Sequence, residues 1–313
     1  MTKPHVLLIT VDSLRSDRCP RRPDGTVTAP NIAELADDAV TFTEAVANGP
    51  STISSFPSIL TSTHPLLYGG YNYLDEDRPF IARHLAERDY ETVGYHSNPH
   101  LGPKENYDEG FETFSDTAEG SDTVASVKDR VEQRLDPDSW LYSQLRRLWH
   151  YATMSTDTAA YAKASSITED AVEWFDNSWD GDSPFFMWLH YMDVHYPFSP
   201  PDQYVRELGA EPLSMSRKTE LNGKMQEDPE SFTSADIDDL LTLYDGEIRF
   251  VDDQIGQVVD YLSERGVYDD TVVALTADHG EAFGEHDLFG HRPELYDELL
   301  RVPLFFKAPG IES

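Results

Sequence analysis

The residues best suited to chemistry stand where an apolar run ends. Residues 271–275 (TVVAL) are β-branched and apolar, and the chain then reaches Asp278-His279-Gly280-Glu281, with His286 and His291 close behind. A buried parallel strand delivers side chains from its carboxyl end, where open α/β sheets place their active sites. A carboxylate beside an imidazole suits a divalent cation, because one supplies negative charge and the other a directional lone pair. We therefore expect a metal or catalytic site here rather than a satisfied structural pair.

Residues 5–11 (HVLLITV) repeat the pattern at the other end of the chain and finish on Asp12. Two such strands would bring both carboxylates to one cation if they lay side by side; taken alone, Asp12 reads equally well as a cap or turn residue. The third chemical feature is residues 48–65, NGPSTISSFPSILTSTHP. Asn48-Gly49-Pro50 is turn chemistry, and Ser51 or Thr52 would cap the following helix. A hydroxyl at a helix N-terminus is also a potential nucleophile, since the positive end of the helix favours its alkoxide and a bound oxyanion. His5, His64 and His190 read as packing or surface residues, His286 and Glu281 as braces of the late loop, and His96 as a strand-end residue without a role.

The elements that must position these groups alternate between strand and helix. A helix is predicted from Asn31 behind Pro30, another over 79–89, a strand over 90–98, a helix over 159–174 and a buried strand over 184–190. A long core-facing helix carries Ile237, Leu240, Leu241, Tyr244, Ile248, Val251, Ile255, Val258, Val259 and Leu262 at helical spacing. The strand at 271 follows it, and 302–306 forms a last strand. Residues 115–155 and 199–233 read as insertions or lid regions. The alternation predicts an α/β fold built as a doubly wound sheet.

Composition limits the partners. Lys plus Arg number 24 against 58 Asp plus Glu, a formal charge of −34, which repels nucleic acid and anionic membranes. The acidity runs along the whole chain, the pattern of a solvated surface adapted to high salt. No apolar stretch is long enough to cross a membrane and no leader precedes the first strand, so the expected location is cytoplasmic. The single cysteine, Cys19, excludes an intrachain disulfide and a multi-cysteine metal site. Nothing in the sequence indicates an oligomeric state.

Several segments together resemble the sulfatase family of the alkaline phosphatase superfamily: LLITVDSLRSD, APNIAELADDAVTFTEAVANGPST, SILTSTHP, HYMDVHYPF, YDGEIRFVDDQIGQVV and TADHGEAFGEHDLFGHRPELYDELLRVPLFFKAPG, in order from residue 5 to about 310. The resemblance implies an alkaline-phosphatase-like, three-layer α/β/α sandwich with a mostly parallel central sheet, forming one catalytic domain over 1–313. It also implies a divalent metal, calcium or else manganese or zinc, beside a nucleophile that attacks sulfur or phosphorus in an ester. By this resemblance Asp12, Asp278 and His279 match metal positions, and Ser13 replaces the family's usual second Asp. His100 matches the His of the GKWHLG segment, with Asn98 where its Lys stands. His195 matches a substrate-contacting His, Arg292 falls where many members carry a second Lys, and His291 where phosphate-acting relatives often place a His.

The match departs from the family at the nucleophile. Aligning SILTSTHP with the family's SLLTGRYP puts Thr52 where true sulfatases convert a Cys or Ser to formylglycine, and neither the Pro nor the Arg of that motif is present. Formylglycine is not expected, and Thr52 resembles the Thr nucleophile of the superfamily's phosphodiesterases, phosphonate hydrolases and head-group transferases. Relatives usually continue beyond the VPLFFKAPG strand into more strands and a small C-terminal subdomain, whereas this sequence stops at Ser313, so the expectation is either a minimal family core or a truncated version. The expected activity is metal-dependent cleavage of a sulfate or phosphate (di)ester or phosphonate on a small molecule, glycan or lipid, with Thr52 also touching the metal. A phospho-head-group or sulfo transferase and a non-catalytic binding protein on a shortened fold are the alternatives.

Overall fold

The computed structural model describes residues 3–68, 70, 74, 77–116 and 161–311. In chain order the strands are β1 (His5–Val11), β2 (Val40–Thr41), β3 (Glu91–His96), β4 (Thr113–Asp116), β5 (Phe185–Tyr191), β6 (Thr271–Ala277), β7 (Ala282–Phe283), β8 (Phe289–Gly290) and β9 (Leu304–Lys307). The helices used below are α1 (Pro30–Asp37), α2 (Thr52–Thr61), α3 (Ile81–Ala86), α4 (Ala164–Asn177), α5 (Asp202–Glu207), α6 (Met215–Glu227) and α7 (Ser234–Glu264). One seven-stranded sheet runs β2-β9-β6-β1-β5-β3-β4, and β7 with β8 makes a separate hairpin. The block from β6 to β4 is parallel, and β9 alone runs the other way, pairing antiparallel with both β6 and β2 at one edge.

Both faces of the central strands are covered, which is why β5 is apolar almost throughout. Phe185, Met187, Leu189 and Tyr191 face the larger core with Leu7, Ile9 and Val11 of β1, under α1, α4 and α7. Phe186 and Trp188 face a smaller core with Phe56 and Leu60 of α2 and Ala82 of α3. Each fully buried large apolar side chain contributes roughly 1.5–3 kcal/mol relative to exposure. The result is the expected α/β/α sandwich.

The long helix begins at a Thr233 cap and buries Leu240, Tyr244, Ile248, Val251, Ile255, Val258 and Leu262, while Ile237, Leu241 and Val259 pack at its margin. Residues 199–233 carry α5 and α6, whose Tyr204, Val205, Leu221 and Met225 are buried. The 115–155 region lies almost wholly outside the described residues. Cys19 is buried and free. Among the described residues, no helix is long and apolar enough to cross a membrane.

Candidate metal and catalytic centre

The sheet register brings the two carboxylates together. Val11 pairs with Ala277, so Asp12 and Asp278, the next residues, leave adjacent parallel strands side by side. Both are fully buried, as is His279. Asp12, Asp278 and His279 each offer a ligand atom, and these atoms lie within 4.8 Å of one another.

The lone pairs at this cluster converge without enough hydrogens to satisfy them. His279 Nδ1 lies 2.8 Å from the Gly280 carbonyl, which can only accept, so Nδ1 carries the proton and Nε2 is left bare. That bare nitrogen faces Asp12 Oδ1 at 3.5 Å and Asp278 Oδ2 at 3.6 Å. Asp278 Oδ1 accepts from the Ser13 and His279 amides at 3.3 and 2.9 Å, but its Oδ2 is buried with no hydrogen-bond partner among the described residues. Buried carboxylate oxygens facing an unprotonated imidazole nitrogen fit a divalent cation, so the donor set present suits the metal that the family implies.

The nucleophile candidate arrives from a helix N-terminus. Ser51 is the cap of α2, its amide donating to Ser54 Oγ at 3.2 Å, and Thr52 is the first helical residue. Thr52 Oγ1 donates to Asp12 Oδ2 at 3.2 Å and stands 3.5 Å from His279 Nε2.

The charges of the two aspartates are pushed apart. Burial opposes ionisation of Asp12, but the neighbouring His195, His190 and His279 more than offset it and hold its carboxyl well below the usual range. Burial, and then the Asp12 charge, push Asp278 up to about 8. Burial, followed by His291, pulls His279 down. His195 is likewise lowered, chiefly by burial. Burial also works against a charge on His291, yet Glu281, with both oxygens 3.3 Å from its Nδ1, lifts it to about 9.

Supporting residues fix the two loops. Ser13 has φ 59°, a left-handed conformation that aims its amide at Asp278 while its hydroxyl donates to Asp12 Oδ1 at 3.0 Å. Tyr244 of α7 holds that turn, donating to the Ser13 carbonyl at 2.7 Å and accepting from the Arg15 amide at 2.9 Å. Buried Arg15 then bridges Asp17, Glu285 and the Glu281 carbonyl, clamping the loop after β1 to the loop after β6. Gly280 admits no side chain, because a Cβ there would stand 2.0 Å from the Glu298 carbonyl oxygen.

The structure thus gathers Asp12, Thr52, Asp278 and His279. The His291 ring lies 4.5 Å from that of His279 and 4.9 Å from that of His195, so both flank the cluster. His100 and Arg292 are exposed, and neither side chain hydrogen-bonds to the described residues. Two contacts escape sequence reasoning. Asn98 Nδ2 donates to Asp12 Oδ2 at 3.1 Å, and His190, read above as a packing residue, places Nε2 3.6 Å from the same oxygen. The available signal for His190 was its place as the polar end of an apolar strand.

Comparison with known proteins agrees with this geometry. The sulfatase family profile matches residues 4–313. An arylsulfatase of Clostridium perfringens is 25% identical over 352 aligned residues, covering 98% of this chain and 69% of that protein. Iduronate 2-sulfatase of Homo sapiens is 24% identical and covers 98% of this chain and 60% of its own length. The crystal structure of phosphonate monoester hydrolase of Agrobacterium radiobacter shares the fold, with TM-score 0.70 and 21% identity over 98% of this chain and 68% of that one. The chain therefore spans 60% to 69% of the length of these curated relatives. With nearly its whole length matched by the family profile, this chain belongs to the sulfatase family of the alkaline phosphatase superfamily.

Proposed function

We propose that this chain is a metal-dependent hydrolase of sulfate or phosphate esters or phosphonates, with Thr52 as its nucleophile. One observation carries the reading: the Thr52 hydroxyl, at the first residue of α2, lies 3.2 Å from Asp12 Oδ2 and 3.5 Å from the bare Nε2 of His279. Held by Asp12, Asp278 and His279, a divalent cation such as calcium, manganese or zinc would supply Lewis acidity to the hydroxyl and to a substrate oxygen.

The protein's own groups account for the remaining requirements. Asp12 Oδ2 accepts the Thr52 hydrogen, and the positive end of α2 stabilises the alkoxide and the developing oxyanion. Attack forms the bond from Thr52 Oγ1 to sulfur or phosphorus and breaks the bond to the leaving oxygen. His291, held charged by Glu281 beside the cluster, stabilises charge on the substrate oxygens, and its N–H serves as proton donor to the leaving group. Water then attacks the same sulfur or phosphorus, giving a proton to the now neutral His291, and the bond to Thr52 Oγ1 breaks as the threonine takes its proton back from Asp12.

The test is turnover in high salt against aryl sulfate, aryl phosphate monoester, phosphodiester and phosphonate substrates, each with and without chelator. Chelator-sensitive cleavage that disappears in Thr52→Ala is expected. Because a threonine cannot become formylglycine, phosphodiester or phosphonate cleavage is expected to exceed sulfate cleavage. Chelator-insensitive turnover, or normal turnover in Thr52→Ala, overturns the reading. Added acceptor alcohol separates hydrolysis from transfer, since a transferase yields the new ester at the expense of the free acid.

A further inference from the structure

His190 lies behind the cluster just described. It pairs with Thr10 in the register of β1 and β5, is fully buried, and makes a T-shaped contact with Phe56 at 4.8 Å between ring centroids. Among the described residues its Nε2 has no hydrogen-bond partner, and it stands 3.6 Å from Asp12 Oδ2.

Its tautomer follows from the groups behind it. Trp188 Nε1, a donor only, gives its hydrogen to Thr10 Oγ1 at 3.0 Å. Thr10 keeps one hydrogen to donate, and His190 Nδ1 at 3.0 Å is a nearer acceptor than the Leu189 carbonyl at 3.3 Å. Accepting at Nδ1 leaves the imidazole proton on Nε2, the nitrogen facing Asp12. We infer that His190 is a positioning residue: its imidazole, oriented through Thr10 and Trp188, turns Nε2–H toward the Asp12 carboxylate and fixes it for Thr52 and for a cation.

The 3.6 Å separation is about 0.4 Å beyond the ordinary N–H···O range, so the proposal requires an approach of that size between Nε2 and Asp12 Oδ2. Asp12 Oδ2 already accepts from Thr52 and Asn98, and a third donor restrains it further. The inference rests on the metal-dependent reading only for its functional consequence. The competing assignment, Nε2 as a further cation ligand, needs the opposite tautomer, with the proton on Nδ1 and Thr10 accepting from both rings.

The first experiment is long-range nitrogen–proton NMR of the histidine rings in chelator-treated wild-type protein, with His190 assigned by its loss in His190→Gln. The Nε2–H pattern is expected, with a shift toward Nδ1–H in Thr10→Val, which removes the hydroxyl while keeping the shape. An Nδ1–H pattern in wild type overturns the proposal. The second experiment compares kcat/KM and calorimetric manganese affinity. His190→Leu lowers both by about 10–100-fold, whereas His190→Gln, whose amide restores an N–H donor, recovers most of the loss. Unchanged manganese affinity in a folded His190→Leu overturns the proposal; if that variant does not fold, Thr10→Val and His190→Gln carry the comparison. Wild type that takes up no manganese breaks the metal-dependent reading instead, and the tautomer still decides His190.

Discussion

Asp252 and Asp278 are both fully buried, yet their oxygens are used differently. Asp252, on α7, accepts from the Ile32 amide at 2.8 Å, the Asn31 amide at 3.2 Å, Asn31 Nδ2 at 2.9 Å and Arg249 Nη1 at 2.8 Å, engaging both oxygens. It ties the start of α1 to the long helix. Asp278 uses only Oδ1, and its Oδ2 faces a bare imidazole nitrogen. Burial raises both, Asp252 to about 6 and Asp278 to about 8. A carboxylate with both oxygens engaged holds the fold together. One with an oxygen left open inside the protein marks a place for a ligand, at a cost to the metal-free state.

The largest effect expected is at Thr52. Thr52→Ala should lower kcat/KM at least about 1,000-fold, since it removes the covalent route, while the melting temperature stays close to wild type. Turnover that survives would place the nucleophile elsewhere, with Ser51 the next candidate.

The pair of aspartates then separates under substitution. Asp278→Asn should lower turnover more than about 100-fold and abolish the stabilisation conferred by added divalent metal, which for wild type at 100 times Kd is about 2.7 kcal/mol. Its metal-free stability should lie within about 1 kcal/mol of wild type, because the Ser13 and His279 amides keep their acceptor and the repulsion from Asp12 is relieved. Asp252→Ala should do the reverse, costing about 2–4 kcal/mol of stability by denaturant melt with little change in turnover per folded molecule. Equal behaviour of the two variants would erase the distinction.

Backbone changes sharpen it at smaller scale. Gly280→Ala should cost about 1–3 kcal/mol and reduce activity together, because its Cβ would displace the Glu298 carbonyl and the loop bearing His279. Ser13→Gly should change stability by less than about 1 kcal/mol, since relief of the left-handed backbone offsets loss of the hydroxyl bond to Asp12.

The features legible in the sequence are local ones. Apolar runs that stop on Asp12 and on Asp278-His279 declare buried strands with chemistry at their ends, and turn residues before a hydroxyl declare the start of α2. The periodicity of residues 237–262 declares the long helix, whose observed bounds, Ser234–Glu264, extend just beyond it. These signals survive in one dimension because strand and helix periods and caps depend on neighbours within a few positions.

What the tertiary structure alone decided is which distant groups meet. Tyr244 carried only the signal of a core residue, yet its hydroxyl holds the Ser13 turn across 231 positions of chain. His190 carried the signal of a packing residue, and the β1–β5 register set it beside Asp12. His100 and Arg292 were assigned to the site by their place in family motifs, and the fold leaves their side chains exposed. Residue type and spacing determine which elements form and which groups they carry, because those choices follow from local backbone and solvation energetics. Sheet register, helix packing and hydrogen bonds between remote segments determine where each group points, and these exist only once the core has closed.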